Sequence, residues 1–240
     1  DLSPEAGKMG IIRGFILPFL MVALPVALGI EQPYLGSGVI IMLIFIAMLF
    51  LSGVRLRYII LFIAFTLVSL PFLWHSLRDY QKERLSVFLN PNIDPLGAGY
   101  TIIQSKIAIG SGGFLGKGWL SGTQSQLRFL PEAHTDFIFA TFVEQWGFLG
   151  SAVVLLLYYF LIREGLNIAS RTSDNFGRLL ALGISFMLGI QVVINISMNL
   201  GLAPVVGVPL FLMSYGGSSV AVTFIALGIL SNIDKTRAVF

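Results

Sequence analysis

The feature that most constrains this chain is a series of long apolar segments, each about as long as a bilayer is thick. They lie approximately at residues 14–30, 36–54, 58–74, 137–162, 179–200 and 218–233. A helix needs roughly 17–25 mostly apolar residues to cross the hydrocarbon core. Charged residues make up 11% of the chain, whereas about 25% is usual in soluble domains. The sequence therefore predicts an all-α, polytopic membrane protein, with about six transmembrane helices in one integral membrane domain over residues 1–240.

The composition also argues against several kinds of site. The chain has no cysteine, so neither disulfides nor thiolate metal sites can form. Its histidines are His75 and His134, too few for a histidine-rich metal centre, and we predict no metal site built from the protein. The net charge of +3 is small, and we expect no nucleic-acid partner.

The two termini and the short connections between the apolar segments alternate in their content of basic residues. One set carries Lys8, Arg13, Arg55, Arg57, Arg163, Arg171, Arg178, Lys235 and Arg237. The other set, residues 31–35 and 201–217, carries none. The positive-inside rule therefore predicts that both termini are cytoplasmic and that the long loop over residues 75–135 lies outside.

This long loop is predicted to be ordered. Residues 76–89 mix apolar and charged side chains in the manner of a helix lying in the membrane interface. Pro91 and Pro95 then mark a break. A second amphipathic helix is indicated by apolar residues at helical spacing, at Leu96, Tyr100, Ile103 and Ile107. The glycines between residues 110 and 118 predict a backbone that is either flexible or closely approached by another segment.

Asp136 lies where the polar end of this loop meets the fourth apolar segment. Burial at such a boundary would raise the pKa of its carboxyl group, as a general base requires. The alternative is a structural residue at the helix N-terminus, where acids interact with the macrodipole and the free N–H groups. The residues by themselves leave both roles open.

Other polar side chains fall within the apolar segments. Glu144 needs a partner or water at its depth, and a structural or a catalytic task would suit it equally. Gln191, Asn195 and Asn199 recur every four residues and form one polar stripe. Hydrogen bonding between helices is favoured over a cavity-facing role for this stripe.

The segment over residues 200–219 combines glycine and proline with high apolarity. Such a segment cannot form one continuous helix or an ordinary exposed loop, so we predict a broken segment lining a cavity. Backbone N–H groups near Ser214 and Ser218 could bind a phosphate at the start of the last helix, although simple capping by Ser218 is an equal alternative. Lys106, Lys117 and Arg128 are the loop cations nearest Asp136 in sequence and could bind a charged head group.

Several long motifs occur together and in order along the chain. They are NPNIDPLGAGYTIIQS (90–105), GSGG (110–113), GTQSQL (122–127), LPEAHTDFIFA (130–140), FGRLLA (176–181), QVVINI (191–196) and SYGGSS (214–219). Together they resemble the SEDS family of shape, elongation, division and sporulation proteins. The form of GTQSQL is more similar to the elongation type of this family than to its division type.

The resemblance implies a peptidoglycan glycosyltransferase of the bacterial plasma membrane that polymerises lipid II at the outer face. Such proteins act in cell-wall elongation and cell shape with a class B penicillin-binding protein. Asp136 would be the catalytic base of an inverting reaction. The candidates for substrate binding are Lys117, Arg128, Glu144, Gln191, Asn195, Ser214 and Ser218. Either basic side chains or a divalent cation such as Mg²⁺ would stabilise the departing pyrophosphate.

Two other functions are consistent with a polytopic chain of this kind: a flippase for the same lipid, and a non-catalytic scaffold for the penicillin-binding protein. A flippase needs polar groups spread through the depth of the membrane. Because such groups are few here, the enzyme is favoured.

The chain departs from the family pattern in two respects. It resembles about the last six of the roughly ten membrane segments of the family. The family also often has an aspartate after a Gln-Pro pair, whereas Gln32 and Pro33 are followed by Tyr34.

Overall fold

The computed structural model describes residues 16–31, 35–76, 78–127 and 129–236. Its helices are α1 (Leu17–Glu31), α2 (Leu35–Leu51), α3 (Leu56–Ser76), α4 (Asp79–Leu89), α5 (Ala98–Gly112), α6 (Thr123–Gln126), α7 (Ile138–Arg171), α8 (Asn175–Asn199) and α9 (Gly217–Thr236). A short 3₁₀ turn, Pro91–Ile93, separates α4 from α5 at the predicted proline break. The described residues contain no β-strand, and the predicted all-α membrane fold is confirmed. The Tyr34 position lies outside the described residues.

Each predicted apolar segment corresponds to a helix, but the helices differ in length. Among the described residues, α7, α8 and α9 are long and apolar enough to cross a membrane. The apolar parts of α1, α2 and α3 are shorter and cover Leu17–Gly29, Gly38–Leu51 and Leu56–Ser69. The number of crossings therefore stays a prediction.

The main core lies where α7 packs along α8 and α9. Phe139, Leu188 and Phe211 are among its most deeply buried apolar side chains. Small residues bring the helices together, because a Cβ added at Gly165 of α7 would overlap the hydroxyl of Ser185 on α8. This mode of packing is common between helices in membranes.

The helix α7 is interrupted at Gly147, which has a φ of 65° and a ψ of −163°. The loop after α5 enters this break, where Gly113 accepts the amide N–H of Phe148 at 2.9 Å. A Cβ at Gly147 would overlap the backbone nitrogen of Gly116, so the contact requires glycine. The sequence predicts one uninterrupted helix here, and the structure differs because a distant loop supplies the hydrogen bonds that α7 gives up.

The amphipathic helices α4 and α5 occur where the long loop predicts them, but the buried side of α5 is not the predicted apolar face. Leu96 and Ile107 are exposed by 89% and 45%, whereas Ile102, Ser105 and Ala108 are almost fully buried. Small side chains on this second face let α5 approach α7 and α8 closely. In the glycine-rich stretch at the end of α5, the backbone of α7 closely approaches Gly112 and Gly116, whereas Gly110 and Gly113 face open space.

The chain between α8 and α9 is irregular and packs against protein, as predicted for a broken segment. Val208, Leu210 and Phe211 are buried. The hydroxyl of Tyr158 on α7 donates to the carbonyl oxygen of Phe211 at 2.7 Å. Because its polar backbone groups find partners within the protein, this segment can lie beside the apolar helices.

Candidate active site

Asp136 lies in a tight turn that precedes α7 and is not part of the helix. Glu132 begins the turn with a φ of 50°, a conformation that few residues other than glycine adopt. Its carbonyl oxygen accepts the N–H groups of Thr135 and Phe137, each at 3.2 Å. Phe137 occupies the position before α7, and no side chain caps this helix end. The alternative role of Asp136 as a helix cap therefore has no support from the geometry.

Two buried asparagines of α8 hold the backbone of Asp136. The side-chain amide of Asn195 donates to the Asp136 carbonyl oxygen at 2.9 Å and to that of Val208 at 2.8 Å. Asn199 donates to the same Asp136 carbonyl at 3.0 Å and accepts the N–H of Ala140 at 3.0 Å. Both asparagines are fully buried. This part of the polar stripe thus joins α8 to the Asp136 turn, and Asn195 supports the site from beneath.

The three residues before Asp136 are held in the same way, each through its carbonyl oxygen. Thr141 Oγ1 donates to the Ala133 carbonyl at 3.3 Å. The N–H of Tyr215 donates to the His134 carbonyl at 2.9 Å, and Ser214 Oγ donates to the Thr135 carbonyl at 2.6 Å. Four successive carbonyls are therefore bound by donors from α7, from α8 and from the segment before α9. Such a turn is pre-organised, as a catalytic group requires.

The carboxylate of Asp136 is half-buried, and within the described residues it makes no hydrogen bond or ion pair. Burial raises its pKa, the nearby Glu132 carboxylate raises it further, and Arg84 acts in the opposite direction. A Cβ added at Gly207 would lie 3.5 Å from Oδ2, so the backbone there passes close to the carboxylate without covering it. An open carboxylate with a raised pKa can accept a proton from a substrate.

Arg84 is a residue of this site that the sequence did not indicate. It lies on α4 and its guanidinium donates to the carbonyl oxygen of Val205 at 3.3 Å. The nearest clue in the sequence is its place on the charged side of an amphipathic helix. That pattern does not show which charged residue faces Asp136.

Glu144 is fully buried and forms an ion pair with Lys117 at 2.8 Å. The same carboxylate accepts the N–H of Gln124 at 3.0 Å and the hydroxyl of Thr123 at 3.2 Å, at the start of α6. A Cβ at Gly122 would lie 2.7 Å from its Oε2, which explains the glycine that opens GTQSQL. We call this group of contacts the loop latch, because it fastens the loop before α6 to α7.

Two neighbouring cavities adjoin the Asp136 turn, and His134, Ile138 and Met213 line both. The larger, about 800 Å³, extends along Ser214 to Gly217 at the start of α9. The smaller, about 500 Å³, extends toward the loop and is further lined by Trp119, Leu120, Ser125, Gln126, Thr141, Phe142, Gln145 and Trp146.

The remaining predicted site residues are placed as follows. Ser214 is buried and bonded to the turn, whereas Ser218 is exposed on the first turn of α9. Gln191 is half-buried on α8, and its side chain makes no hydrogen bond within the described residues. Arg128 lies outside the described residues. No group of three histidine, aspartate or glutamate side chains that could hold a metal ion occurs in the described part of the chain.

Residues 6–238 match the FtsW/RodA/SpoVE family of cell cycle proteins. The chain belongs to this family. It is the SEDS family that the motifs resemble, and that prediction is confirmed.

The peptidoglycan glycosyltransferase MrdB of Escherichia coli K12 is 48% identical to this family member over 222 residues, which are 92% of the chain and 60% of the relative. A solved structure of a peptidoglycan synthase complex, described as showing structural coordination of polymerization and crosslinking, has a TM-score of 0.76 and 34% identity. The match covers 93% of this chain and 62% of the chain in the complex. A crystal structure of a mutant of the Thermus thermophilus rod shape determining protein RodA has a TM-score of 0.63 and 26% identity. The match covers 98% of this chain and 63% of the RodA chain. The chain thus spans about 60% of the length of the curated relatives it matches.

Proposed function

We propose that this chain forms the catalytic part of a peptidoglycan glycosyltransferase that polymerises lipid II, with Asp136 as the base. The observation that carries the proposal is the open carboxylate of Asp136 on a turn whose four carbonyls are bound by neighbouring elements. A related protein with 48% identity bears the name of this activity.

In the proposed reaction, Asp136 takes the proton of the acceptor sugar's 4-hydroxyl group. The oxygen forms a bond to the anomeric carbon of the donor, and the bond from that carbon to the pyrophosphate oxygen breaks on the opposite face. The products are a longer glycan, in which the donor sugar is joined to the acceptor through an inverted anomeric carbon, and a polyprenyl pyrophosphate. The turn holds the base still, which makes the attack effectively intramolecular.

The proposed setting is the outer face of the bacterial plasma membrane, with both termini of the chain cytoplasmic and residues 75–135 outside. The distribution of basic residues supports this orientation. A class B penicillin-binding protein is the proposed partner. Support comes from the similarity to a chain of a complex in which polymerization and crosslinking are coordinated.

A divalent cation such as Mg²⁺ stays a proposal for the substrate side of this reaction. The described side chains provide no group of three histidine, aspartate or glutamate residues that could hold such an ion. We therefore assign no step to a metal held by the protein.

The test is polymerisation of purified lipid II by the protein with its partner. Asp136→Asn keeps the size of the side chain but replaces one carboxylate oxygen with an NH₂ group, so it cannot accept the proton, and we expect a rate loss of about 10²–10⁴. Asp174→Asn is a matched control, because Asp174 caps α8 by accepting the N–H of Gly177 at 2.7 Å and asparagine caps equally well. An Asp136→Asn variant that polymerises lipid II normally would refute Asp136 as the base. A wild-type protein that binds its partner without polymerising lipid II would favour a scaffold role.

The flippase alternative gains nothing from the geometry. Glu144 and Asn195 are two of the deep polar residues that a transport route would use, and both are fully buried and bonded within the protein. A flippase would move lipid II across the membrane of a vesicle without lengthening glycans. The polymerisation assay therefore distinguishes it from the proposed enzyme.

A further inference from the structure

Arg84 is the described cation that the fold brings to Asp136. It is half-buried on α4, and its guanidinium donates to the carbonyl oxygen of Val205, two residues before the Gly207 backbone that passes close to Asp136 Oδ2. From there its charge lowers the pKa of Asp136 slightly, against the larger effects of burial and of Glu132. Within the described residues Arg84 forms no ion pair. Its guanidinium donates a hydrogen bond to the Val205 carbonyl oxygen instead. Arg84 therefore acts on the site electrostatically without closing it.

The other described loop cations near the site are placed differently. Lys117 is held by Glu144 in the loop latch. Lys106 extends along Gly201, where an added Cβ would overlap its side chain. Within the described residues neither side chain bonds to the backbone of residues 205–207, which runs beside Asp136, whereas Arg84 does.

The geometry fits the binding of a leaving group. In an inverting attack, the base and the departing phosphate lie on opposite sides of the reacting carbon. A cation that serves the phosphate must therefore lie in the same site but apart from the base, with room for the reacting sugar between them. Arg84 fits this requirement, because it bonds to Val205 and makes no ion pair with Asp136 within the described residues. A guanidinium carries five N–H donors in a fork that matches phosphate oxygens, and the Val205 carbonyl occupies one of its nitrogens.

We propose that Arg84 binds the pyrophosphate of the lipid-linked donor and stabilises its departure. This rests on the proposed function, since it assigns a substrate contact within the same site. Because α4 is amphipathic and can lie at the lipid head groups, the phosphate of an ordinary phospholipid is a second source of the same chemistry. The experiment must separate the two.

The test is binding of undecaprenyl pyrophosphate, with neutral undecaprenol as the reference, to the purified protein in phosphatidylcholine nanodiscs. We expect the wild-type protein to prefer the pyrophosphate lipid. Arg84→Gln should weaken that binding by about 10- to 100-fold, the range for losing hydrogen bonds to a charged group, and leave undecaprenol binding unchanged. Lys82→Gln, a charge loss at another half-buried position of α4, should have no such effect.

A second measurement tests the placement of Arg84 beside the base. Among the described residues, the charges that act on Asp136 are those of Arg84 from α4 and Glu132 from its own turn. Removing Arg84 removes the influence that favours the ionised carboxylate. The acidic limb of the turnover profile should therefore move to higher pH in Arg84→Gln and stay in place in Lys82→Gln. If the glutamine variant does not fold, Arg84→Lys keeps the charge, and it should lose several-fold in pyrophosphate affinity while leaving the acidic limb in place.

Several results would overturn the proposal. One is an equal loss of affinity in the Arg84 and Lys82 variants. Another is a wild-type protein that does not distinguish the pyrophosphate lipid from undecaprenol. A third is loss of the preference when phosphatidylglycerol replaces phosphatidylcholine, which would assign Arg84 to phospholipid head groups. The proposed function can fail separately. If the wild-type protein does not polymerise lipid II but Arg84→Gln still loses pyrophosphate binding, the proposed function is refuted and the pyrophosphate site at Arg84 stands.

Discussion

At the scale of single residues, Asp136 is easier to protonate in the folded protein than in the unfolded chain. Burial is the main cause, and the Glu132 carboxylate adds to it. A raised pKa means that the ionised form costs the fold stability. The same feature makes Asp136 a better proton acceptor.

This leads to a prediction on stability. Asp136→Asn should raise the thermal unfolding temperature at neutral and higher pH, where the wild-type residue is ionised. The gain should shrink as the pH falls through the folded pKa and vanish near the unfolded value of 3.8, because the wild-type residue is then neutral as well. Thermal unfolding in detergent across this pH range measures it. A destabilised Asp136→Asn protein at neutral pH would instead indicate that the carboxylate has a structural role.

A second prediction concerns the rate. Turnover should fall as the pH falls through the raised pKa of Asp136, since the protonated carboxyl group cannot act as a base. Asp136→Glu should keep a trace of activity with the same acidic limb. A wild-type rate that is independent of pH down to the ordinary aspartate range would contradict the assignment.

At the scale of elements, α8 acts as a support for the Asp136 turn. Asn195 and Asn199 lie one turn apart on this helix and both donate to the Asp136 carbonyl. An asparagine supplies these donors at a depth where a lost partner is costly, because water cannot replace it. The two side chains thus couple the rigidity of α8 to the position of Asp136, the proposed base.

Asn199→Asp tests this coupling, because it removes the donor and retains an acceptor for the N–H of Ala140. We expect destabilisation of at least about 1–3 kcal/mol, because the substitution buries a carboxylate and the carbonyl oxygens of Asp136 and Asn195 each lose one donor. We also expect a lower kcat at nearly constant KM, since the base is displaced but the substrate contacts remain. Ser197→Ala, on the same helix away from the turn, is the control. Normal kcat in a folded Asn199→Asp protein would restrict the asparagine to packing.

The loop latch is the second coupled element. Glu144→Gln keeps the side-chain volume but removes the ion pair with Lys117. Hydrogen exchange over residues 117–126 should accelerate by at least about tenfold, the equivalent of one lost hydrogen bond, while α8 exchanges as before. Gly122→Ala should act in the same direction by crowding the carboxylate. Unchanged exchange in both variants would show that α6 is held by other contacts.

At the scale of the whole molecule, the site lies at one end of the long helices. The Asp136 turn, the loop latch and α4 gather near the N-terminal end of α7, while the basic connection between α7 and α8 lies at the other end. The orientation of the chain therefore decides on which side of the membrane the chemistry occurs.

Single cysteines test this orientation, since the chain contains none of its own. Ser121 and Ser173 are both exposed and lie toward opposite ends of α7. We expect an impermeant thiol reagent to label Ser121→Cys in intact cells, and Ser173→Cys to react after the membrane is opened. The reverse pattern would place Asp136 on the cytoplasmic side.

The sequence by itself determined the helical segments and the broken stretch before α9, and it singled out Asp136 as a candidate base. These follow from local properties, since hydropathy, proline and glycine act on the residues beside them. The tertiary structure alone decided which side chains meet. Arg84 reaches Val205 across 121 positions, and Asn199 reaches Asp136 across 63. Lys117 pairs with Glu144 because the glycine-rich loop enters the break at Gly147. Such contacts depend on how helices rotate and approach one another, and one-dimensional periodicity does not contain that information.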